Sequence, residues 1–450
     1  MALTGLEIYK LLPKTNCKDC GFPTCLAFAM KLAAKQAELS ACAHVSEEAK
    51  AALESAAAPP IRLITIGGAE QKIEVGNETE LYRHEKSFFH MPGLLVRVKD
   101  TQPLTEVEEL VSQVDAYSVE YVGLILRLDG IAVQSASGDP TTFAQYVRAV
   151  RTKTTRPLIL MAEDPKVMKA GLAEVSGTTP LIYAAQEQNW QAMVDLAKER
   201  NAPLAVHSEQ GLQSLASLVQ EVKGAGVEDI VLDPGARDYH DSLGVMTEIR
   251  RLALVAKPDR LLGYPVISFP GAAEESIALE SMLAAQHIAK YSSFVVLDHF
   301  DPAVAYALLA LRQNIYTDPR QPVQVTPGLY EINEPGPADP LLVTTNFSIT
   351  YFSVANEVDG TGMPAWLLIA DTEGLSVLTG WAAGKFDADK IANTVKGSGI
   401  IDKINHKKLV IPGAVSVLSG ELEDELADWE ILVGPREAVD IPAYMKLWPR

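Results

Sequence analysis

Several things are scarce in this 450-residue sequence. No run approaches the roughly 18 apolar residues that a spanning helix needs, which excludes a helical membrane anchor. The start MALTGLEIYK lacks the basic, then apolar, then small-residue order of a secretory signal, so a cytoplasmic protein is predicted. Positive charge is in deficit: 39 Lys and Arg stand against 58 Asp and Glu, a formal net charge of −19. That leaves little from which to build the clustered basic face that nucleic acid requires. Neither GxGxxG nor a Walker sequence occurs, so the sharp phosphate-binding fingerprints are missing too. Cysteine is absent after position 42: Cys17, Cys20, Cys25 and Cys42 are the whole complement.

Core cysteines scatter through a chain as small hydrophobes, so confinement to one segment argues that these four act together. A reducing cytoplasm disfavours disulfides. The stretch CKDCGFPTC gives C-x2-C-x4-C, with Cys42 after sixteen intervening residues. Zinc sites usually join two short arms across a longer loop, whereas two short gaps in succession suit three corners of a 4Fe-4S cube. The cluster is favoured over zinc, with unrelated buried thiols as the third reading. Gly21 and Pro23 fit the winding between ligands. A straight helix on to Cys42 would carry the chain roughly 24 Å away at 1.5 Å per residue. Helices are therefore predicted over Ala2 to Leu12 and Thr24 to Lys35, with residues 36 to 42 returning. The following SEEAKAALESAAAPP reads as a linker helix ended by Pro59 and Pro60.

IRLITIGG and QKIEVGNE alternate apolar and polar residues about Gly67 and Gly68, which predicts a hairpin. Eight short apolar runs then alternate with helix-like segments: GLLVRV, YVGLILRL, PLILMA, PLIYAA, PLAVHS, DIVLDP, PVISFP and FVVLDH. Near-continuous Val, Ile and Leu imply strands buried on both faces, hence a closed eight-stranded parallel (β/α)8 TIM-like barrel, with an open doubly wound sheet as runner-up. Its strand C-termini would present Asp129, Glu163, Asp164, Gln186, Asn189, His207, Asp233, Arg237, Asp298 and His299. That suffices for a small-molecule site, and it is also what a solvated rim looks like. DYHDSLG nearly gives the D-x-H-x-x-G by which some cobalamin domains supply a histidine to cobalt, but Leu243 stands where glycine belongs. Without its context the match reads as coincidence.

A Pro-rich connector, VTPGLYEINEPGPADP, leads to a last α/β unit with strand candidates LLVTTNFSITYF, AWLLIAD, KKLVIPG and EILVGP. Helices are predicted in FDADKIANTVKGSG and PREAVDIPAYMK. Its loops are rich in Gly, Ser and Thr, which lets backbone amides and hydroxyls approach a bulky polar ligand outside the strand ends; ordinary tight turns would look the same. His406 is the one histidine of this unit, just before a strand start.

The order of these parts, and above all TNCKDCGFPTCLAFAMKLA with Cys42, resembles the large subunit of the corrinoid iron-sulfur protein of the anaerobic acetyl-CoA pathway, over essentially the whole chain. The resemblance implies an α/β multidomain fold: an iron-sulfur domain and linker (1–58), a TIM-like barrel with N-terminal hairpin (59–325) and a Rossmann-like corrinoid-binding domain (326–450). It implies a 4Fe-4S cluster on Cys17, Cys20, Cys25 and Cys42, and a corrinoid (cobamide, cobalt) in the C-terminal loops. Loop position puts Thr345, Asn346 and Thr350, then Asp371, Thr372, Gly374, Leu375, Ser376 and Val377, against that cofactor. Gly384 and Lys385, Pro412, Gly413 and Ala414, and Gly434 with Pro435 complete the set. The implied function is a methyl carrier rather than a stand-alone catalyst, passing methyl from methyl-tetrahydrofolate to acetyl-CoA synthase while the cluster restores inactive cobalt. The implied partners are a small corrinoid iron-sulfur subunit in a heterodimer, a methyltransferase, acetyl-CoA synthase and a reductive activator. Two alternatives stand beside it: an electron-transfer module, and a pterin methyltransferase barrel using Asp129, Asn189 and Asp233.

Overall fold

A computed structural model describes the chain except for residues 1–4, 34–36, 38, 47–48, 51–58, 83–87, 89, 256–260, 273–275, 318–321 and 449–450. Two compact units result, residues 1–117 with 128–312 and residues 118–127 with 313–450. Among the described residues no helix is long and apolar enough to cross a membrane.

The first unit begins with helices Gly5–Leu11 and Cys25–Ala33 and a 3-10 turn Leu39–Ala41. Ile8, Leu12, Phe28, Ala29, Val45 and Ala49 make a small core with Cys25 and Cys42. The first helix lies inside its predicted span. The second is described over Cys25–Ala33, and its expected extension through Lys35 lies outside the described residues, as does most of the expected linker helix.

Strands β1 (Ile64–Gly67) and β2 (Lys72–Val75) form the predicted antiparallel hairpin. Alternation sends Ile64, Ile66, Ile73 and Val75 to one face, where they join Leu95, Ala132, Ile159 and Phe294 from inside the barrel. Gly67 bridges to Thr179, and a Cβ on Gly93 would stand 3.0 Å from Ile73, so the hairpin stoppers the barrel at the strand N-termini. Gly67 has φ +105°, and any Cβ there would meet Gln71 O at 2.3 Å, which only glycine avoids.

The barrel is closed and parallel. In chain order its strands are β3 (Gly93–Lys99), then, after a separate hairpin β4 (Val119–Tyr121) and β5 (Leu124–Leu126), β6 (Gly130–Gln134), β7 (Leu158–Met161), β8 (Leu181–Ala185), β9 (Leu204–His207), β10 (Ile230–Asp233), β11 (Val266–Ser268) and β12 (Ser292–Leu297). Seven of these strands come from the predicted runs. The other run, YVGLILRL, is not a barrel strand. Val122 and Gly123 both have positive φ, 51° and 80°, and turn the chain back on itself, pairing β4 with β5 antiparallel. Ile125 of that hairpin is 59 % exposed, whereas four of the five residues of GIAVQ, the true second strand, are buried. Asp129 consequently precedes a strand instead of ending one. It accepts the Leu94 amide at 2.8 Å and pairs with Arg312, at the barrel's N-terminal end.

The second unit carries a five-stranded sheet in the order β13, β15, β14, β16, β17, where β13 is Gly328–Ile332, β14 Leu341–Thr345, β15 Ala365–Ala370, β16 Lys408–Ile411 and β17 Glu430–Val433. Only β13 runs antiparallel to its neighbour. Alternate residues face two cores: Leu341, Val343, Trp366 and Leu368 pack under Ile391, Val395 and Leu422, and Leu342, Leu367, Ile369 and Val410 under Val358, Ile441 and Met445. Two expectations are corrected here. The connector contains a strand, β13, and the long candidate LLVTTNFSITYF is a five-residue strand followed by the helix Ser348–Asp359. Ile, Thr, Tyr and Phe in the first half of that helix are strand-favouring residues, which hides its start.

Candidate functional site

Around the thiols the chain is tightly wound. Lys14, Asn16, Lys18 and Gly21 all have positive φ, and Gly21 N donates to Lys18 O at 2.9 Å. Asn16 Oδ1 accepts the Cys25 amide at 2.8 Å and Thr24 Oγ1 that of Ala27 at 3.0 Å, so Cys25 opens its helix at the positive end of the helix dipole. Cys25 and Cys42 are buried, Cys20 is half-buried, Cys17 is exposed, and none is bridged. Three free thiols in one small core, Cys25 among them at a helix N-terminus, with the exposed Cys17 three residues before Cys20, fit an anionic iron-sulfur cluster as an all-sulfur donor set. Beside Cys17, Asp19 lies 2.7 Å from His44 Nε2, and the three ligand atoms fall within 4.8 Å of one another. The hydrogen bond from His44, then that from Cys17, holds the Asp19 carboxyl below its ordinary range. No spacing rule in the sequence singles out His44.

At the sheet, β14 has β15 on one side and β16 on the other, so successive connections leave it in opposite directions and open a crevice at the strand C-termini. A cleft of about 390 Å³ lies there. Of the predicted residues, Thr350, Ser376, Val377, Pro412, Ala414, Gly434 and Pro435 line it. Thr345, Asn346, Asp371, Thr372, Gly374, Leu375, Gly384, Lys385 and Gly413 do not. Asn346 instead ties the loops together. Its Oδ1 accepts from Thr372 N, Thr372 Oγ1 and Gly374 N at 2.9 to 3.0 Å, and its Nδ2 donates to Gln324 and Asp371. Thr372 Oγ1 also stands 2.9 Å from Leu375 O, an alternative acceptor for its one proton. Lys385 is exposed and pairs with Glu373 at 2.6 Å, which raises its pKa. Gly413 stands behind the wall, where a Cβ would meet Gly434 O at 2.4 Å.

Sequence reading missed Ser353 and Arg436, which also line the cleft, whereas the lining residues Ile349 and Leu378 fell in the predicted loops 344–350 and 371–379 without being singled out. Ile349 and Ser353 belong to the helix that was read as strand. Thr344 fell in a predicted loop without being singled out. The hydroxyls of Thr344, Thr345 and Ser348, all buried, have no hydrogen-bond partner among the described residues. Of the three, Thr344 lines the cleft, and since a buried hydroxyl left unpaired costs about 1–3 kcal/mol, its presence there fits a ligand with polar groups of its own. No histidine is among the lining residues. His406 sits at the opposite end of β16, its Nε2 donating to Asp339 O at 2.9 Å and its Nδ1 accepting from Lys408 N at 3.2 Å.

The barrel's C-terminal rim is a self-paired ionic network. Asp233, fully buried, accepts from Tyr183 Oη at 2.5 Å and from both terminal nitrogens of Arg237 at 2.8 Å, while His207 Nδ1 stands 3.1 Å away. Burial alone would raise the Asp233 pKa; His207 and Arg237 overrule it and hold the carboxyl far below its usual range. Arg97 grips Asp298 at 2.6 and 2.5 Å, and the guanidiniums of Arg97 and Arg237 both lie over the Phe269 ring. Asn189 is used up by Gln186 N, Glu163 O and Ala184 O. Asp164 caps the helix starting at Pro165, and His299 bonds Glu280 at 2.6 Å. Asp238 caps the helix that contains His240 and Leu243, which accounts for the near-motif as a helix start. With Asp129 at the other end of the barrel, the suggested pterin set of Asp129, Asn189 and Asp233 is not assembled.

A family model described as CO dehydrogenase/acetyl-CoA synthase delta subunit matches residues 63–445, and a model for an Fe-S cluster matches residues 12–44. The corrinoid/iron-sulfur protein large subunit of Moorella thermoacetica is 45 % identical over 447 residues, 99 % of each chain. The acetyl-CoA decarbonylase/synthase complex subunit gamma of Archaeoglobus fulgidus is 39 % identical over 99 % of this chain and 98 % of its own. Among solved structures, dihydropteroate synthase of Thermus thermophilus aligns with a TM-score of 0.38 at 15 % identity, over 56 % of this chain and 100 % of that one.

Proposed function

Because the chain belongs to the family of corrinoid/iron-sulfur large subunits and acetyl-CoA decarbonylase/synthase gamma subunits, we propose that it is a methyl carrier. It accepts a methyl group that a methyltransferase takes from methyl-tetrahydrofolate, and it delivers that group to acetyl-CoA synthase. A corrinoid, when bound, supplies the cobalt that carries the methyl group, and a 4Fe-4S cluster supplies low-potential single electrons to restore cobalt that has been oxidised.

The chain's own residues bind, orient and shield. Cys17, Cys20, Cys25 and Cys42 hold the cluster. Burial of Cys25 and Cys42 keeps water from one side, and the exposed Cys17 marks the side open to electron donors. In the second unit Asn346 fixes the loops after β14 and β15, and Val377, Pro412, Ala414 and Pro435 offer apolar contact to the corrinoid. The observation that carries the reading is the cleft at the sheet's switch point, with the buried, unpaired Thr344 hydroxyl on a residue that lines it. Gly384 and Lys385 then act at a distance from the cofactor, by shaping their loop. No histidine is among the residues lining the cleft, so none of them would give a bound cobalt a nitrogen ligand, which would favour an easily reduced metal. The carrier works with a small subunit as heterodimer and with a reductive activator. We assign the cluster to residues 1–58, the barrel to 59–325 and the corrinoid to 326–450, with 118–127 and 313–325 packed against the last of these.

Replacing Cys20 by Ala tests the division of labour. The visible and electron paramagnetic resonance signals of the cluster should vanish, along with reductive reactivation. The corrinoid spectrum, and methyl uptake by chemically reduced protein, should remain. Loss of corrinoid together with the cluster would sink the division into separate sites, and a flavin spectrum in the native protein would sink the carrier itself.

A further inference from the structure

The hairpin of β4 and β5 is spliced into the barrel sequence, yet it belongs to the second compact unit, residues 118–127 with 313–450. At its foot Tyr121 Oη accepts from Asn314 Nδ2 at 3.0 Å. At its tip the turn of Val122 and Gly123, both at positive φ, runs against the helix Ser348–Asp359. A Cβ built on Gly123 would stand 3.0 and 3.1 Å from Cε2 and Cζ of Phe352, and 3.9 Å from Cγ1 of Val325. Only glycine gives both that backbone angle and that approach. Both neighbours shape the cleft. Val325 N donates to Asn346 O, and Ile349, Thr350, Ser353 and Val354 of the helix line the cleft itself.

The same helix turns Tyr351, Ala355 and Val358 to the core on that face of the sheet. At about 3.6 residues per turn, Phe352 projects from a third side, away from both sets. It is half-buried there, edge-on to Tyr351 at 4.9 Å and against the hairpin tip. The helix start has no side-chain cap, so packing has to fix its position. The sheet holds one side, the cleft side is open to ligand, and the hairpin holds the third. A binding wall has to be held to within about 0.5 Å to grip its ligand, and a side chain at Gly123 would displace Phe352 by a few tenths of an ångström. We propose that Gly123 and Phe352 are positioning residues for the corrinoid. Resting on the methyl-carrier reading, a segment spliced into the barrel sequence sets the helix that walls the cleft, and with it how tightly the cofactor is held.

The test titrates the full-length chain with cobalamin and compares wild type with Gly123→Ala, Phe352→Leu, the two together, and Ile125→Ala, which alters a 59 % exposed side chain of the same hairpin. Leucine is too short to reach the places of Cε2 and Cζ, so it makes room for the new Cβ. Gly123→Ala should weaken cobalamin binding about tenfold, the combined variant should return to within about threefold of wild type, and Ile125→Ala should bind as wild type does. Cobalamin release, followed at a temperature where circular dichroism shows every variant folded, should be about tenfold faster in Gly123→Ala alone. A role in folding only would leave that rate unchanged and overturn the proposal. Unaltered affinity in Gly123→Ala would overturn it too, as would a loss that persists in full beside Phe352→Leu, since that loss would trace to strain at the turn. Should Gly123→Ala not fold, Phe352→Ala takes its place by withdrawing the ring from the hairpin, and wild-type affinity there would have the same force. Amide hydrogen exchange along Ser348–Asp359, measured without corrinoid, should rise about tenfold in Gly123→Ala and recover in the combined variant. Failure of wild type to bind cobalamin would overturn the methyl-carrier reading instead, and the exchange would still decide whether the hairpin holds the helix.

Discussion

His287 is a histidine kept neutral by its surroundings. It is 1 % exposed, its Nδ1 has no partner among the described residues, and burial followed by the nearby charge of Arg237 pushes its pKa down to about 4. An unfolded histidine titrates near about 6.5. The folded value is the lower one, so the unfolded chain takes up the proton first as pH falls. Stability present above about pH 6.5 is then lost progressively down to about pH 4, on the order of 3 kcal/mol for this one group. His207 works in the other direction: burial opposes its charge, but Asp233 outweighs burial and raises its pKa, so its contribution is full below about pH 6.5 and fades as pH rises. The two are separated by His287→Leu. The melting temperature of the variant relative to wild type should climb between pH 6.5 and 4 and stay level above pH 7; a difference independent of pH would refute the assignment. Neither histidine's role was legible in the sequence. Nothing local distinguishes an orphaned histidine inside a wall from one paired to a buried carboxylate, because the partners Asp233 and Arg237 arrive from another strand and its loop.

At the scale of elements, the hairpin of β1 and β2 gives a direct measure of how the barrel's closed end is held. Ile66 is fully buried between the hairpin and the barrel interior, while Thr65, its neighbour in sequence, faces out. Ile66→Ala should cost about 2–4 kcal/mol through lost burial and the cavity left behind, whereas Thr65→Ala should change stability by less than about 0.5 kcal/mol. Equal effects in thermal melts would mean that the hairpin does not plug the barrel. This element was legible because period-two alternation and a double glycine are both local signals. Most barrel strands were legible for a related reason: a strand buried on both faces has to be apolar throughout. The failures share a cause as well. YVGLILRL is as apolar as a core strand, and only its positive-φ Val122–Gly123 turn reveals a hairpin. The helix after Thr345 begins with the residues that strands prefer, and that error concealed the cleft-lining Ser353 and Val354.

For the whole molecule, the contiguous domains suggested by the sequence meet a chain that crosses between its two compact units three times, at 117/118, 127/128 and 312/313. No composition shift marks those crossings, since residues 118–127 look like barrel sequence. The cut that a sequence reading invites, just before Gly328, is therefore badly placed for the cleft. The segment before it supplies Gln324 Oε1, which accepts from Asn346 Nδ2 at 2.8 Å, and Val325 N, which donates to Asn346 O at 2.9 Å. It also supplies Val323 O, which takes the Ser348 amide at 3.1 Å. Asn346 is the residue that fixes the loops after β14 and β15, so these bonds set the shape of the cleft as well as the stability of the unit. At about 1 kcal/mol for each net hydrogen bond, a fragment of residues 328–450 should be roughly 2–4 kcal/mol less stable than one of residues 313–450. It should also bind cobalamin at least about tenfold more weakly, because the loops that face the ligand lose their tether. Urea unfolding and a corrinoid titration of the two fragments side by side would measure both effects. Equal stability and equal affinity would show that Asn346 holds its position without the 322–326 segment, and would restore the boundary at 325/326 as the functional edge of the corrinoid-binding unit.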